Sequence, residues 1–331
     1  MTLTLALQAT IERYRTAETF SIAGHSWDHI DVLWLRLEDG TCMGQGEGIP
    51  IYYRPDESPQ SLKREAEALI AKGVTQRSAL MTHTANGATN ALDAALWDLE
   101  AKQRGQPVWA LSGLPEPVPR ATAMTISLDS ADAMGKAAAR LADYPLLKLK
   151  LGHGNDEDLD CAAAVRAAAP NARLIIDANG GWSFAHLQRS APVLEGLGIE
   201  LIEQPLAPGA DDPLASFRSP VPLCADESFQ TQADIAALAD RYQLINIKLD
   251  KCGGLTAALA IARRAQELQL GLMVGNMLGT SLAMAPAYHL AGLCRFADLD
   301  GPLLLGEDRA PAARYDRGTM QPPDPGAWGM P

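Results

Sequence analysis

An α/β fold is predicted for this chain: a (β/α)₈ TIM-type barrel, with one crossover helix missing or reduced, joined to an N-terminal α+β unit. Three observations predict it. Beyond residue 120, eight short apolar runs alternate with alanine- and leucine-rich helical segments, a rhythm that implies parallel strands with crossover helices. Apolar run after apolar run ends in an ionisable residue. Residues 1–115 lack that rhythm and carry the short alternating runs of an antiparallel sheet.

The elements follow in order. In the first unit, Val32-Leu33-Trp34-Leu35-Arg36-Leu37, closed by Asp39-Gly40, reads as a strand. Helical patterns follow at Ser61–Lys72 and Asn90–Arg104. In the second of these, Leu92, Ala95, Leu96 and Leu99 fall at helical spacing, and Gly105 then Pro107 supply the stop. The Pro-rich stretch Leu114–Pro119 is a linker. Strands are expected near 121–127, 145–150, 173–177, 199–203, 222–226, 244–248, 271–275 and 295–298. Helices are expected at 131–142, 157–168, 184–196, 232–240, 255–268 and 280–292. The Pro- and Asp-rich stretch 204–221 is expected to be irregular, which makes it the weakest unit. Residues 116–305 therefore suit a barrel. A doubly wound open sheet is the competing arrangement, but the first strand leads into Ser127-Leu128-Asp129-Ser130 and not into a Gly-rich dinucleotide loop. Residues 306–331, rich in Pro and Gly, are expected to lie against the N-terminal unit.

Composition bounds the function. The chain has 331 residues, a hydrophobic fraction of 47% and a net charge of −12. That is ample material for a core, and the acidic balance argues against nucleic-acid and anionic-membrane partners. Five cysteines with no close pair make no disulfide framework. No apolar run approaches the ~20 residues of a membrane span, and the N-terminal stretch Met1–Arg15 lacks the features of a signal peptide. A cytoplasmic protein acting on a small molecule is expected. The sequence is compatible with a homo-oligomer.

The charged strand ends carry the chemistry. Leu174-Ile175-Ile176 ends at Asp177, Leu201-Ile202 at Glu203, and Leu223-Cys224-Ala225 at Asp226, about one βα unit apart. In a parallel barrel these acids share the C-terminal rim, where active sites of such barrels sit. Each acid alone could merely cap the following helix. Three in register point to a cation, and all-oxygen ligation suits Mg²⁺. Lys148-Leu149-Lys150 ends one strand with both ammonium groups on one face, and Lys248 ends another across the barrel. Desolvation and a neighbouring ammonium are expected to lower a lysine pKa toward the range of a general base. Opposed lysines flanking a metal suggest proton removal on one side of a substrate and return on the other. Asp298-Leu299-Asp300 places two more carboxylates on one face, either as a strand-end turn or as an anionic clamp for a substrate ammonium group.

Seven stretches together resemble the enolase superfamily, in its muconate-lactonizing branch, and within it most closely the dipeptide epimerases. They are Asn90–Leu99 (NALDAALWDL), Leu147–Gly152 (LKLKLG), Ile176–Trp182 (IDANGGW), Ile202–Pro205 (IEQP), Ala225–Ser228 (ADES), Ile247–Gly254 (IKLDKCGG) and Asp298–Gly301 (DLDG). The likeness spans essentially the whole chain.

The resemblance implies that the N-terminal unit and C-terminal tail cap the barrel mouth. It matches Asp177, Glu203 and Asp226 to Mg²⁺ ligands, and Lys150 and Lys248 to the two acid/base lysines. Lys148 would tune Lys150 and help hold the substrate carboxylate, while Asp298 and Asp300 would bind a dipeptide's α-ammonium group. Asn276 is a further substrate-binding candidate. It stands where strand seven, Val274-Gly275-Asn276-Met277, ends without the histidine base of the mandelate-racemase-type branch. The implied reaction is 1,1-proton transfer at the C-terminal α-carbon of a dipeptide through an enediolate. Alternatives within the superfamily are o-succinylbenzoate synthase, muconate-type cycloisomerase and N-acylamino acid racemase activities.

Specificity would rest partly on the capping loop Phe20–Asp28. An arginine there would suit an acidic second residue, and none lies between Arg15 and Arg36. L-Ala-D/L-Glu, the dipeptide of peptidoglycan recycling, therefore remains one option among several, with His25, Trp27 or Arg54 as other contacts.

Overall fold

The computed structural model describes residues 5–22 and 24–331. Met1 to Thr4 of the expected first unit and Ala23 of the expected loop lie outside the described residues. Alternation organises the N-terminal sheet. Strands β1 (Ala6–Ile22), β2 (His25–Glu38) and β3 (Met43–Gly48) pair antiparallel, and the expected run Val32–Leu37 sits inside β2. Leu33, Leu35 and Leu37 face helices α1 (Pro59–Ala71) and α2 (Gly87–Arg104), while Ile30 and Val32 turn the other way into the main core. A register shift between Arg15 and Phe20 bends the β1–β2 hairpin, and its tip reaches the mouth of the barrel.

Helix α2 begins three residues earlier than its apolar spacing predicts. Asn86 is the N-cap, its side chain accepting from the backbone N–H of Ala88 and Thr89, and Gly87-Ala88-Thr89 carries no periodic signal. It ends as expected, at Gly105 in the left-handed region. The helix lies directly on β3, because Gly44, Gly46 and Gly48 present no side chain. A Cβ on Gly46 would stand 2.0 Å from the carbonyl oxygen of Ala91. Gly46→Ala is therefore expected to destabilise the protein by about 3 kcal/mol, near the upper end for overpacking, since the obstacle is backbone. Urea denaturation checks this against Gly196→Ala, where a Cβ would meet nothing within 4 Å.

Eight parallel strands form the barrel in sequence order: β4 (Met124–Ile126), β5 (Leu146–Lys150), β6 (Arg173–Asp177), β7 (Ile199–Glu203), β8 (Leu223–Ala225), β9 (Leu244–Lys248), β10 (Gly271–Gly275) and β11 (Phe296–Ala297). The hydrogen bond from Ala123 N–H to Ala297 O, 2.8 Å, joins the first and last staves. Strands β4, β8 and β11 are shorter than the apolar runs that foretell them. Between β7 and β8 only a 3₁₀ turn, Asp212–Ser216, replaces a helix. Five prolines in 205–222 remove the N–H groups a helix there would need.

The N-terminal unit is fastened over the barrel's C-terminal end. Asp250, just after β9, accepts from Ile49 N–H and Asn90 Nδ2, both at 2.9 Å. Asp93 of α2 accepts from Thr256 N–H. The tail returns to the same unit, with Trp328 Nε1 donating to Gln45 O and Gly329 N–H to Asp98. No helix among the described residues is long and apolar enough to cross a membrane.

Candidate active site

Period-two geometry decides which side chains meet inside the barrel. Ala123, Leu146, Ile175, Leu201, Cys224, Leu244, Met273 and Phe296 form a buried apolar layer. Two residues further along the same strands, the next inward positions are Lys148, Asp177, Glu203, Asp226, Asn246 and Asp298. One more step along β5 and β9 gives Lys150 and Lys248. Apolar plug and charged layer are thus consecutive turns of one pleat.

One oxygen from each of Asp177, Glu203 and Asp226 lies within 4.8 Å of the others, and all three residues are buried. Lys150 Nζ donates to Asp177 Oδ2 and Lys248 Nζ to Asp226 Oδ2, each at 2.6 Å. These lysines end the second and sixth of eight staves, so they approach from opposite walls. Each shares its acid with a second buried lysine. Lys148 Nζ is 2.9 Å from Asp177, 2.7 Å from Glu203 and 2.8 Å from Asp298, and Lys251 Nζ is 2.5 Å from Asp226 Oδ1.

The electrostatics follow from this crowding. Burial alone would raise Asp177, but the ammonium groups of Lys148 and Lys150 outweigh it and hold the carboxyl below its usual range. Burial of Asp226 is likewise overcome, by Lys248 and Lys251. Glu203 goes the other way, pushed up to about 8 by burial and by the charge of Asp177. Three buried acids with one burdened in this way, offering only oxygen donors, fit a hard divalent cation such as Mg²⁺. The lysines correct an expectation. Burial pulls Lys148 and Lys248 down, but the surrounding carboxylates raise both well above the ordinary lysine value. Desolvation loses to the acids.

A cavity opens above this layer. Lys148, Lys150, Lys248, Asn276, Asp298 and Asp300 line its floor, and Phe20, Ile22, Trp27 and Tyr52 its roof. Asp298 keeps one buried oxygen, Oδ1, without a hydrogen-bond partner, while Asp300 accepts from Thr125 N–H at 2.7 Å. Burial and the charge of Asp298 push Asp300 up to about 7. Asn276 Nδ2 donates to the carbonyl of Asp298 and fixes that corner. Lys148, Lys150, Lys248, Asn276, Asp298 and Asp300 therefore line one space, and Asp177, Glu203 and Asp226 lie together beneath it. Arg54, named as a side-chain contact, does not line the cavity. It bonds Glu57 and Ala85 O in the cap and Gln230 in the barrel. His25 packs against Trp27 and Tyr52 instead of reaching the floor.

Sequence reasoning missed four contributors. Asn246 Nδ2 donates to Glu203 Oε1 at 2.6 Å, and its place two residues before Lys248 is the signal that could have found it. Asn179 Oδ1 accepts from Lys150, and Glu227 Oε1 accepts from Asn179. Lys251 sits on a helical turn after β9, where strand alternation says nothing.

Comparison with known proteins agrees with this architecture. Residues 8–113 match the mandelate racemase / muconate lactonizing enzyme N-terminal domain, and residues 129–327 match the enolase C-terminal domain-like family. The chain is 41% identical over 298 residues to an N-acetyl-D-glutamate racemase of Pseudoalteromonas sp, covering 88% of this chain and 93% of the relative. It is 39% identical over 306 residues to the L-Ala-D/L-Glu epimerase of Escherichia coli K12, covering 91% and 94%. A crystal structure of an enolase family member from Agrobacterium tumefaciens with homology to dipeptide epimerases, with bound sodium and L-Ala-L-Glu, superposes with a TM-score of 0.94. It is 45% identical, and the match covers 98% of this chain and all of that one. With both domains matched and the inward charged layer in place, the chain belongs to the mandelate racemase / muconate lactonizing enzyme family of the enolase superfamily.

Proposed function

We propose that the protein is a Mg²⁺-dependent dipeptide epimerase that inverts the α-carbon of the C-terminal residue. The observation that carries this reading is the pair Lys150 and Lys248 on opposite walls of one cavity, above three acids and beside a carboxylate with an unpartnered buried oxygen, Asp298. Asp177, Glu203 and Asp226 would hold Mg²⁺, which when bound supplies compensating charge for the three acids and Lewis-acid stabilisation of the substrate carboxylate. With the charge of Asp177 and Asp226 taken up by a bound cation, one lysine, as the neutral amine, takes the α-proton. The C–H bond breaks and its electron pair moves into the carboxylate, giving an enediolate. The other lysine, as the ammonium, returns a proton to the opposite face, and the two exchange roles with the starting configuration. Asp298 and Asp300 hold the α-ammonium group at the far end, Asn276 steadies Asp298, and Lys148 borders the substrate carboxylate, so the reacting carbon is fixed between two anchors.

A second reading has one observation in its favour, the 41% identical relative named N-acetyl-D-glutamate racemase. N-acylated amino acids and dipeptides present the same carboxylate and the same acylated α-nitrogen. The lysines and acids therefore suit both, and only the ammonium clamp discriminates.

The test is a panel of dipeptides and N-acetyl amino acids incubated with Mg²⁺ in D₂O and followed by mass spectrometry and chiral separation. The panel spans acidic and apolar second residues, because the described roof of the cavity is apolar. We expect one deuteron at the C-terminal α-carbon of dipeptides, with inversion. Asp298→Asn is expected to lower kcat/KM for dipeptides relative to N-acetyl substrates by about 10²-fold, the effect of unpairing one buried charge. The ratio cancels any general damage to the site. N-acetyl-glutamate turned over faster than every dipeptide, with a ratio indifferent to Asp298→Asn, would replace the first reading by the second.

A further inference from the structure

The two acid/base candidates are not equivalently held. Lys150 Nζ donates to Asp177 Oδ2 at 2.6 Å and also to Asn179 Oδ1 at 3.3 Å. For Lys248 the hydrogen bonds among the described residues give one partner, Asp226 Oδ2. A neutral lysine amine has two N–H donors and one lone pair. Two fixed acceptors leave the lone pair a single direction, whereas one acceptor leaves it free to turn about that bond.

Asn179 is itself held at three points. Its backbone N–H donates to Asp177 Oδ1 at 2.9 Å, and its Nδ2 donates to Glu227 Oε1 at 3.1 Å. Because Glu227 accepts from the nitrogen of the amide, the amide oxygen is the atom left for Lys150. The third point is the backbone, at φ +43°, a left-handed conformation uncommon for a residue other than glycine and here kept beside a reactive group. Glu227 Oε1 accepts a further hydrogen bond from Tyr52 OH, 3.3 Å away, and Tyr52 belongs to the cap and forms part of the cavity roof. A hydrogen-bonded line thus runs from the cap through Glu227 and Asn179 to one lysine.

We propose that Asn179, oriented by Glu227 and Tyr52, is a positioning residue that aims Nζ of Lys150 and leaves Lys248 untouched, so that cap seating governs one proton-transfer face of the site. This rests on the assignment of the two lysines as the acid/base pair.

The experiment is α-proton exchange in D₂O, measured separately from each epimer of a substrate with Mg²⁺ present. Lys248→Ala identifies the epimer that Lys150 deprotonates, because it leaves exchange on that face alone. Asn179→Ala is expected to slow exchange of that epimer at least tenfold and exchange of the other less than twofold, with inversion slowed in both directions. Tyr52→Phe, which keeps the ring and the cap packing, is expected to slow the same face about threefold, so the proposal stays open to test even if Asn179→Ala folds poorly. Mg²⁺ affinity by calorimetry is expected to change less than threefold, since the backbone bond from Asn179 to Asp177 survives. Equal slowing of both faces, or no slowing of either, overturns the proposal while leaving the epimerase reading intact. Absence of exchange from both epimers in the unsubstituted protein removes the two together.

Discussion

Lys248→Ala is expected to abolish inversion in both directions, with kcat lowered by about 10⁴-fold, while one epimer still exchanges its α-proton with solvent. Lys150→Ala should give the mirror result. Inversion needs a base on one face and an acid on the other, and positioned general acid–base groups contribute about 10²–10⁴-fold each. Removing either leaves a half-site that can only take a proton and hand it back. Both variants should remain folded, for a reason specific to this site. Breaking a buried ion pair typically costs about 3–5 kcal/mol because it strands a charge. Here Asp226 keeps Lys251 at 2.5 Å after Lys248 is removed, and Asp177 keeps Lys148 at 2.9 Å after Lys150 is removed. Deuterium incorporation by mass spectrometry, with chiral separation of the epimers, reads both halves of the prediction. Full inversion in both variants would remove the lysines from the mechanism.

The site was legible in the sequence to the extent that it is written in strand alternation. A strand two or four residues past an apolar plug brings its side chains into the barrel mouth, so Lys148, Lys150, Asp177, Glu203, Asp226 and Lys248 stand out as charges at the ends of apolar runs. The same reading foretold the barrel and the helix missing after β7, where prolines rule it out. Neutral partners do not stand out in this way. Asn179 is one polar residue in a glycine-rich turn, and its importance comes from a contact with Glu227, 48 residues away. Lys251 resembles a surface lysine on a short helix until the fold buries it against Asp226. The balance of pKa effects was also beyond the sequence. Alternation puts lysines near acids, but only the distances show that carboxylates outweigh burial at Lys148 and Lys248. Local strength of signal and functional weight are different quantities, and they coincide here only for charged residues at inward positions of the barrel strands.

Metal removal should separate stability from activity. Without a divalent cation the protein is expected to remain folded, because Lys148, Lys150, Lys248 and Lys251 already offset much of the buried negative charge. Epimerisation should be lost entirely on chelation and return with Mg²⁺, which should also raise Tm, since a ligand at 100 times its Kd stabilises by about 2.7 kcal/mol. The metal-free state carries a pH signature with a definite sign. Glu203 titrates at about 8 in the fold against 4.5 as its ordinary value, so the folded state holds a proton there that the unfolded chain has already released. That raised value favours folding below it, and the advantage fades as pH climbs through 8. Between pH 7 and pH 9 the metal-free protein should lose on the order of 1 kcal/mol from this group, one pKa unit being worth about 1.4 kcal/mol. Glu203→Gln should remove that loss, leaving the metal-free variant at pH 9 at least as stable as its parent, and should also erase both the Mg²⁺-dependent rise in Tm and the activity. Urea denaturation at the two pH values, with and without Mg²⁺, measures all of these. If Glu203→Gln destabilised the metal-free protein at pH 9 and kept the Mg²⁺ response, Glu203 would be a structural acid and the cation would have to be held elsewhere.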